Sequence, residues 1–64
     1  MINGELIRVL MRSKGITSRE LAGRVGISEA MMSYVLAGLR EPNVQVLVRI
    51  AREIGCTVDE IILK

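Results

Sequence analysis

The sequence predicts an all-α fold of five short helices, and three observations carry that prediction. Apolar residues recur at helical spacing, most clearly at Val44, Leu47, Ile50, Ala51 and Ile54. Two stretches, "TSRE" at Thr17 to Glu20 and "TVDE" at Thr57 to Glu60, have the form of capping boxes that open helices. No stretch alternates with the two-residue period of a strand, and no repeat or low-complexity linker interrupts the chain.

Taken in order, the first helix is capped by Asn3 and runs through Lys14, with Ile7, Leu10 and Lys14 on one face and Gly15 closing it. In the second, the Thr17 hydroxyl and the Glu20 carboxylate satisfy the first amides reciprocally, and Gly26 keeps the helix short. Ser28 is the cap of the third helix, which Gly38 ends. Pro42-Asn43 starts the fourth, with its stripe from Val44 to Ile54, and Gly55 stops it. The second capping box begins a final turn or two through Leu63.

Residues 1–64 read as one small domain, near the lower size at which a chain folds alone. Half of the residues are apolar but only Tyr34 is aromatic, so the core must be aliphatic. Nine Lys/Arg against seven Asp/Glu leave a charge of +2, which is compatible with a nucleic-acid partner without requiring one. Cys56 is the only cysteine; it reads as a small buried apolar residue, and its solitude suits a reducing cytoplasm. No apolar run reaches the roughly 20 residues of a membrane span, and no signal peptide opens the chain. Histidine is absent, and there is no carboxylate cluster with metal spacing, no Gly-rich phosphate loop and no nucleophile beside a base. An enzyme is therefore not expected, nor a metal, cofactor or small-molecule ligand.

Function concentrates in the middle of the chain. A capped helix, a turn at Gly26-Ile27-Ser28 and a second helix make a helix-turn-helix, with Gly26 supplying the turn conformation and Ala22 allowing close approach. Ile27 and Val35 are expected to be buried where the two helices meet. Pattern alone does not separate this unit from other helical corners.

The stretches "KGITSRELAGRVGIS" and "LVRIAREIGCTVDEI", with Gly38 and Pro42 between them, resemble the lambda-repressor-like, Cro-type (XRE) helix-turn-helix family. The likeness runs from about Glu5 to Ile62. It implies a five-helix DNA-binding domain whose third helix, about Glu29 to Ala37, lies in the major groove of double-stranded DNA while the second crosses the backbone. By that resemblance Ser28, Glu29, Ala30, Ser33 and Tyr34 face base edges or nearby phosphates. Ser18 and Arg19 stand at the second helix's N-terminus, where free amides favour a phosphate, and Arg40 and Asn43 match backbone-touching positions.

Two departures from the family stand out. Relatives carry Arg and Glu where this chain has Met11 and Leu36, an ion pair that ties the first helix to the third. Both members are apolar here, so Met11 is expected to pack on Leu36, a replacement that is often neutral or stabilising. The recognition face is also almost uncharged. Glu29 can accept from cytosine N4 or simply complement the helix dipole, Ala30 can meet a thymine methyl, and Ser33 can donate or accept. Tyr34 is read as a phosphate, sugar or methyl contact, or as a partly buried packer. Met32 is expected in the core and Met31 half-buried on the second helix. Arg8, Arg12, Lys14, Arg49 and Arg52 are read mostly as solvated, with a phosphate contact as the alternative for Arg12 or Lys14.

The expected function is a sequence-specific DNA-binding transcriptional regulator of bacterial or phage type, repressing by occupying an operator. The alternative is a protein-interaction module of the same fold, such as an antitoxin or accessory factor with weak DNA binding. One copy reads few base pairs, so a homodimer is expected, at least on DNA. Leu6, Val9, Val46, Ile62 and Leu63 are apolar residues beyond what the core requires, and Val46 with the C-terminal "IILK" is the candidate self-association surface.

Overall fold

The computed structural model describes residues 1–63, and Lys64 lies outside them. Four α-helices follow in chain order: α1 (Gly4–Lys14), α2 (Ser18–Val25), α3 (Glu29–Leu36) and α4 (Val44–Ile54). Each start is held by the side chain that the sequence nominated. Asn3, Thr17, Ser28 and Asn43 accept from the amides of Leu6, Glu20, Met31 and Val46 at 2.9–3.1 Å. Such caps satisfy amides that a helix's own carbonyls cannot reach, each contributing about 1 kcal/mol.

The fifth element is a correction. Asp59–Ile61 forms a single 3-10 turn, not an α-helix, so the all-α domain has four helices and a turn. Its capping box is present, with Thr57 N–H donating to Glu60 Oε1 at 2.9 Å, but the chain leaves the turn in extended conformation at Ile62. Ile62 is drawn into an antiparallel bridge with Ile2, while Leu63 N–H donates to Met1 O and Asn3 N–H to Ile61 O, both at 2.7 Å. These hydrogen bonds tie the two ends of the described chain together and stop any further helical turn.

The core is wholly aliphatic. Ile7, Leu21, Val25, Met32, Val35, Ile50, Ile54 and Ile61 are almost inaccessible, and among the described residues no polar or charged side chain is buried with them. Met32 is in the core and Met31 is half-buried against it, as expected. Ile27 is only half-buried, because it sits at the outer edge of the turn between α2 and α3. Val44 is 74% exposed, correcting its place on the buried stripe of α4. It is the first residue after the Asn43 cap, and the inward face is made by Leu47, Ile50, Ala51 and Ile54.

Met11 and Leu36 are both buried, at 6% and 8% exposure, in one apolar cluster. Both also line the groove between α1 and α3. Beside this contact, Gly4 packs so closely on the end of α3 that a Cβ there would stand 2.8 Å from the Leu36 carbonyl carbon and collide with its oxygen. Of the apolar residues counted as surplus, Leu6, Val46 and Ile62 are half-buried, with Leu6 and Val46 packed on the core, whereas Val9 and Leu63 are exposed. Cys56 is half-buried, and burial followed by the charge of Glu60 raises its thiol pKa.

The capping boxes also set a pH dependence. Glu20 and Glu60 titrate below the ordinary glutamate value of 4.5, first because each accepts a backbone N–H, from Thr17 and Thr57, and second because each accepts the same residue's hydroxyl. A folded-state pKa below the unfolded one stabilises the fold above the unfolded pKa, and that contribution fades as pH falls through the folded one. Urea denaturation of Glu20→Gln/Glu60→Gln should therefore lose less stability than the parent between roughly pH 5 and pH 3. Parallel losses would show that the two carboxylates do not hold these bonds.

Candidate nucleic-acid interface

α2 and α3 are joined by a tight turn in which Gly26 has φ of 81°, a left-handed conformation that costs glycine nothing. The amides of Gly26 and Ile27 both donate to the Ala22 carbonyl at 3.0 Å, closing α2 before α3 begins. Ala22 is buried, and its small side chain lets the helices approach. The turn is closed by backbone hydrogen bonds, and caps and apolar packing place the two helices.

That packing divides α3 into two faces. Met32, Val35 and Leu36 point inward, while Glu29, Ala30, Ser33 and Tyr34 are exposed. Glu29 lies one turn before Ser33 and Ala30 one turn before Tyr34, so the four form a continuous strip along the outer side. Tyr34 is 50% exposed and projects as the one aromatic group of the chain. Ser28, at the head of the strip, is exposed, and its hydroxyl oxygen is occupied by the Met31 amide at 3.0 Å.

Ser18 is half-buried at the first position of α2 and Arg19 is exposed beside it. Arg40 is exposed in the connection between α3 and α4. Asn43 is exposed, but its Oδ1 accepts the Val46 amide at 2.9 Å, which leaves the side-chain NH2 as its outward donor. Ser18 and Ser33 line one open groove of about 380 Å³, together with Arg8, Met11, Arg12, Ile16 and Leu36. The groove therefore joins the start of α2 to the outer strip of α3, with α1 as its third wall.

The remaining cations sort by position. Arg24 pairs with Glu53 at 3.3 Å, linking α2 to α4. The Lys14 ammonium lies 3.1 Å from where a Cβ on Gly55 would stand, at the C-terminus of α4, and Arg49 Nη1 lies 3.6 Å from the equivalent point on Gly26, at the C-terminus of α2. Both complement the negative end of a helix dipole. Arg8 and Arg12 are exposed and, among the described residues, neither forms an ion pair.

The model of the Cro/C1-type helix-turn-helix DNA-binding domain matches residues 6–63. The chain belongs to this family. Among solved structures, this Cro/C1-type domain superposes on the clp gene regulator ClgR of Corynebacterium glutamicum with a TM-score of 0.80 at 28% identity, over 89% of this chain and 61% of that one. The DNA-binding domain of the P22 c2 repressor gives 0.82 at 27% identity, over 92% and 78%. SinR in its complex with SinI shares the fold, with 0.81 at 23% identity over 92% and 58%. The domain thus spans less than two thirds of the ClgR and SinR chains. No curated protein matches the sequence.

Two groove residues of the Cro/C1-type domain, Arg8 and Arg12, are grouped by sequence reasoning with the solvated cations, Arg12 having a phosphate contact only as its alternative. A signal is available. Arg8 and Arg12 are one turn apart with Met11 between them, so once Met11 faces α3 the two arginines stand at the rim of that face.

Proposed function

We propose that this domain binds double-stranded DNA as part of a transcriptional repressor, with α3 in the major groove and the strip Ser28, Glu29, Ala30, Ser33 and Tyr34 meeting base edges and adjacent phosphates. The observation that carries the reading is the division of α3. Its inward side is used by the core, and its outward side is a continuous exposed strip, as a helix that enters a groove requires.

In this reading the strip selects sequence and charge is supplied from beside it. Arg19 and Arg40 contact phosphates, Ser18 presents its hydroxyl at the start of α2, and Asn43 offers its side-chain NH2. Glu29 accepts from a cytosine amino group and rejects sequences that place an acceptor opposite it. A single copy reads too few base pairs for an operator, so two copies occupy half-sites about one helical turn apart. The clp gene regulator and the P22 repressor are named for regulation and repression, which supports the same role here.

Selection from a randomised duplex pool is the test. It should enrich two half-sites about 10 bp apart, and Arg40→Ala should weaken selected and scrambled duplexes alike while making the salt slope shallower by about 0.9. Tyr34→Ala should weaken the selected duplex more than the scrambled one. Failure to enrich any duplex at low salt would sink the reading and leave a protein-interaction module, which the single acidic charge of the strip would then explain.

A further inference from the structure

We propose that α1 is a third arm of the nucleic-acid interface, in which Arg8 and Arg12 grip the sugar-phosphate backbone along the groove between α1 and α3. The proposal rests on the DNA-binding reading above and adds to it residues that neither the motif nor the recognition strip includes.

The groove has a division of chemistry suited to this ligand. Its floor is apolar, formed by Met11, Ile16 and Leu36. Arg8 and Arg12 bring guanidinium groups, while Ser18 and Ser33 bring hydroxyls from α2 and α3. A deoxyribose-phosphate strand presents the complement, with an apolar sugar face and anionic oxygens at its edge. Arginine forks suit phosphate oxygens, and exposed guanidiniums give up little hydration energy to meet them.

Two further observations favour these arginines over the other cations. Arg24 pairs with Glu53, while the Lys14 and Arg49 side chains lie beside Gly55 and Gly26, at the C-termini of α4 and α2. Arg8 and Arg12 have no ion-pair partner among the described residues, and their groove is continuous with the strip through Ser33. Arg8, Met11 and Arg12 share one face of α1, so the contact that anchors α1 to α3 also aims both guanidiniums at the groove. The charge missing from α3 is supplied by a helix outside the helix-turn-helix unit.

The test compares the parent with Arg8→Ala/Arg12→Ala on a duplex enriched from a random pool and on its scrambled counterpart, from low to moderate salt. Affinity for both duplexes should fall by the same factor, about tenfold or more near 0.1 M salt, and the log–log salt slope should become shallower by about 1.8. Arg8→Lys/Arg12→Lys should keep most of the slope, and both variants should melt like the parent. An unchanged slope in the alanine variant overturns the proposal while leaving the α3 reading intact. A loss confined to the selected duplex also overturns it, because the arginines would then be reading bases. If the parent itself binds no duplex, both readings fall together.

Discussion

Gly4→Ala is expected to destabilise the domain by about 3 kcal/mol, the reverse of what the same change does in an ordinary helix. Alanine normally improves on glycine within a helix by about 0.5–1 kcal/mol, because the unfolded chain loses less entropy on folding. At Gly4 that gain is overridden. The added Cβ would collide with the carbonyl oxygen of Leu36, which is backbone and cannot rotate away. Relief requires α1 and the end of α3 to separate, opening the Met11–Leu36 level of the core. For a domain of this size, 3 kcal/mol corresponds to a fall in melting temperature on the order of 12–24 °C. Gly23→Ala is the matched control, because nothing stands within 4 Å of its Cβ position and the residue is exposed within α2. It should raise stability by up to about 1 kcal/mol. Thermal and urea unfolding of the two variants should move in opposite directions. A Gly4→Ala protein that melts at or above the parent would show that α1 and α3 are not in this close contact.

The consequence for function follows from what Leu36 terminates. It is the last residue of α3, and the strip from Ser28 to Tyr34 is positioned by the inward packing of Met32, Val35 and Leu36. Displacing that end reorients the strip relative to α2. Gly4→Ala should therefore weaken DNA binding even at temperatures where it remains folded, although residue 4 belongs to no predicted contact.

What can be read from the sequence follows the range of the interaction responsible. The caps at Asn3, Thr17, Ser28 and Asn43 are motifs closed within three residues, and all four form as the sequence indicates. The two-faced character of α3 is also readable, because apolar positions Met32, Val35 and Leu36 recur at helical spacing. The final helix fails because "TVDE" fixes how a helix begins and says nothing about what competes for its continuation. The competitor is Ile2, sixty residues away in sequence, whose bridge with Ile62 no local pattern encodes. Gly4 is opaque for the same reason: at a helix start it looks merely tolerated, and only the position of Leu36 makes it necessary. Arg8 and Arg12 lie between these cases. Their face of α1 follows from Met11, but that the groove opens onto Ser18 and Ser33 depends on the packing of three helices.

Met11 and Leu36 provide the second large effect, best measured as a double-mutant cycle. Leu36→Glu alone should destabilise by about 3 kcal/mol, since it places a carboxylate at a position only 8% exposed, where the exposed Arg8 and Arg12 at the groove rim offset only part of the burial cost. Met11→Arg alone should cost less, about 1–2 kcal/mol, because its long stem can follow the apolar floor and carry the guanidinium to the open groove beside Arg8 and Arg12. Combined, the two should restore stability to within about 1 kcal/mol of the parent, giving a coupling energy of about 2–3 kcal/mol in urea unfolding. Additive losses would mean that the side chains are independent and that the paired apolar residues are a coincidence of sequence. The pH dependence supplies an internal check. Burial raises the folded-state pKa of the carboxylate introduced by Leu36→Glu, so the stability deficit of that variant relative to the parent should grow as pH rises above about 4.3. In the double variant an adjacent guanidinium lowers that pKa again, and the pH-dependent deficit should shrink or reverse. Because Met11→Arg adds charge to the same groove, the double variant should also bind duplexes with a steeper salt slope than the parent, unless the new ion pair consumes it. Stability and salt dependence thus report separately on whether the α1–α3 contact serves the core, the DNA backbone or both.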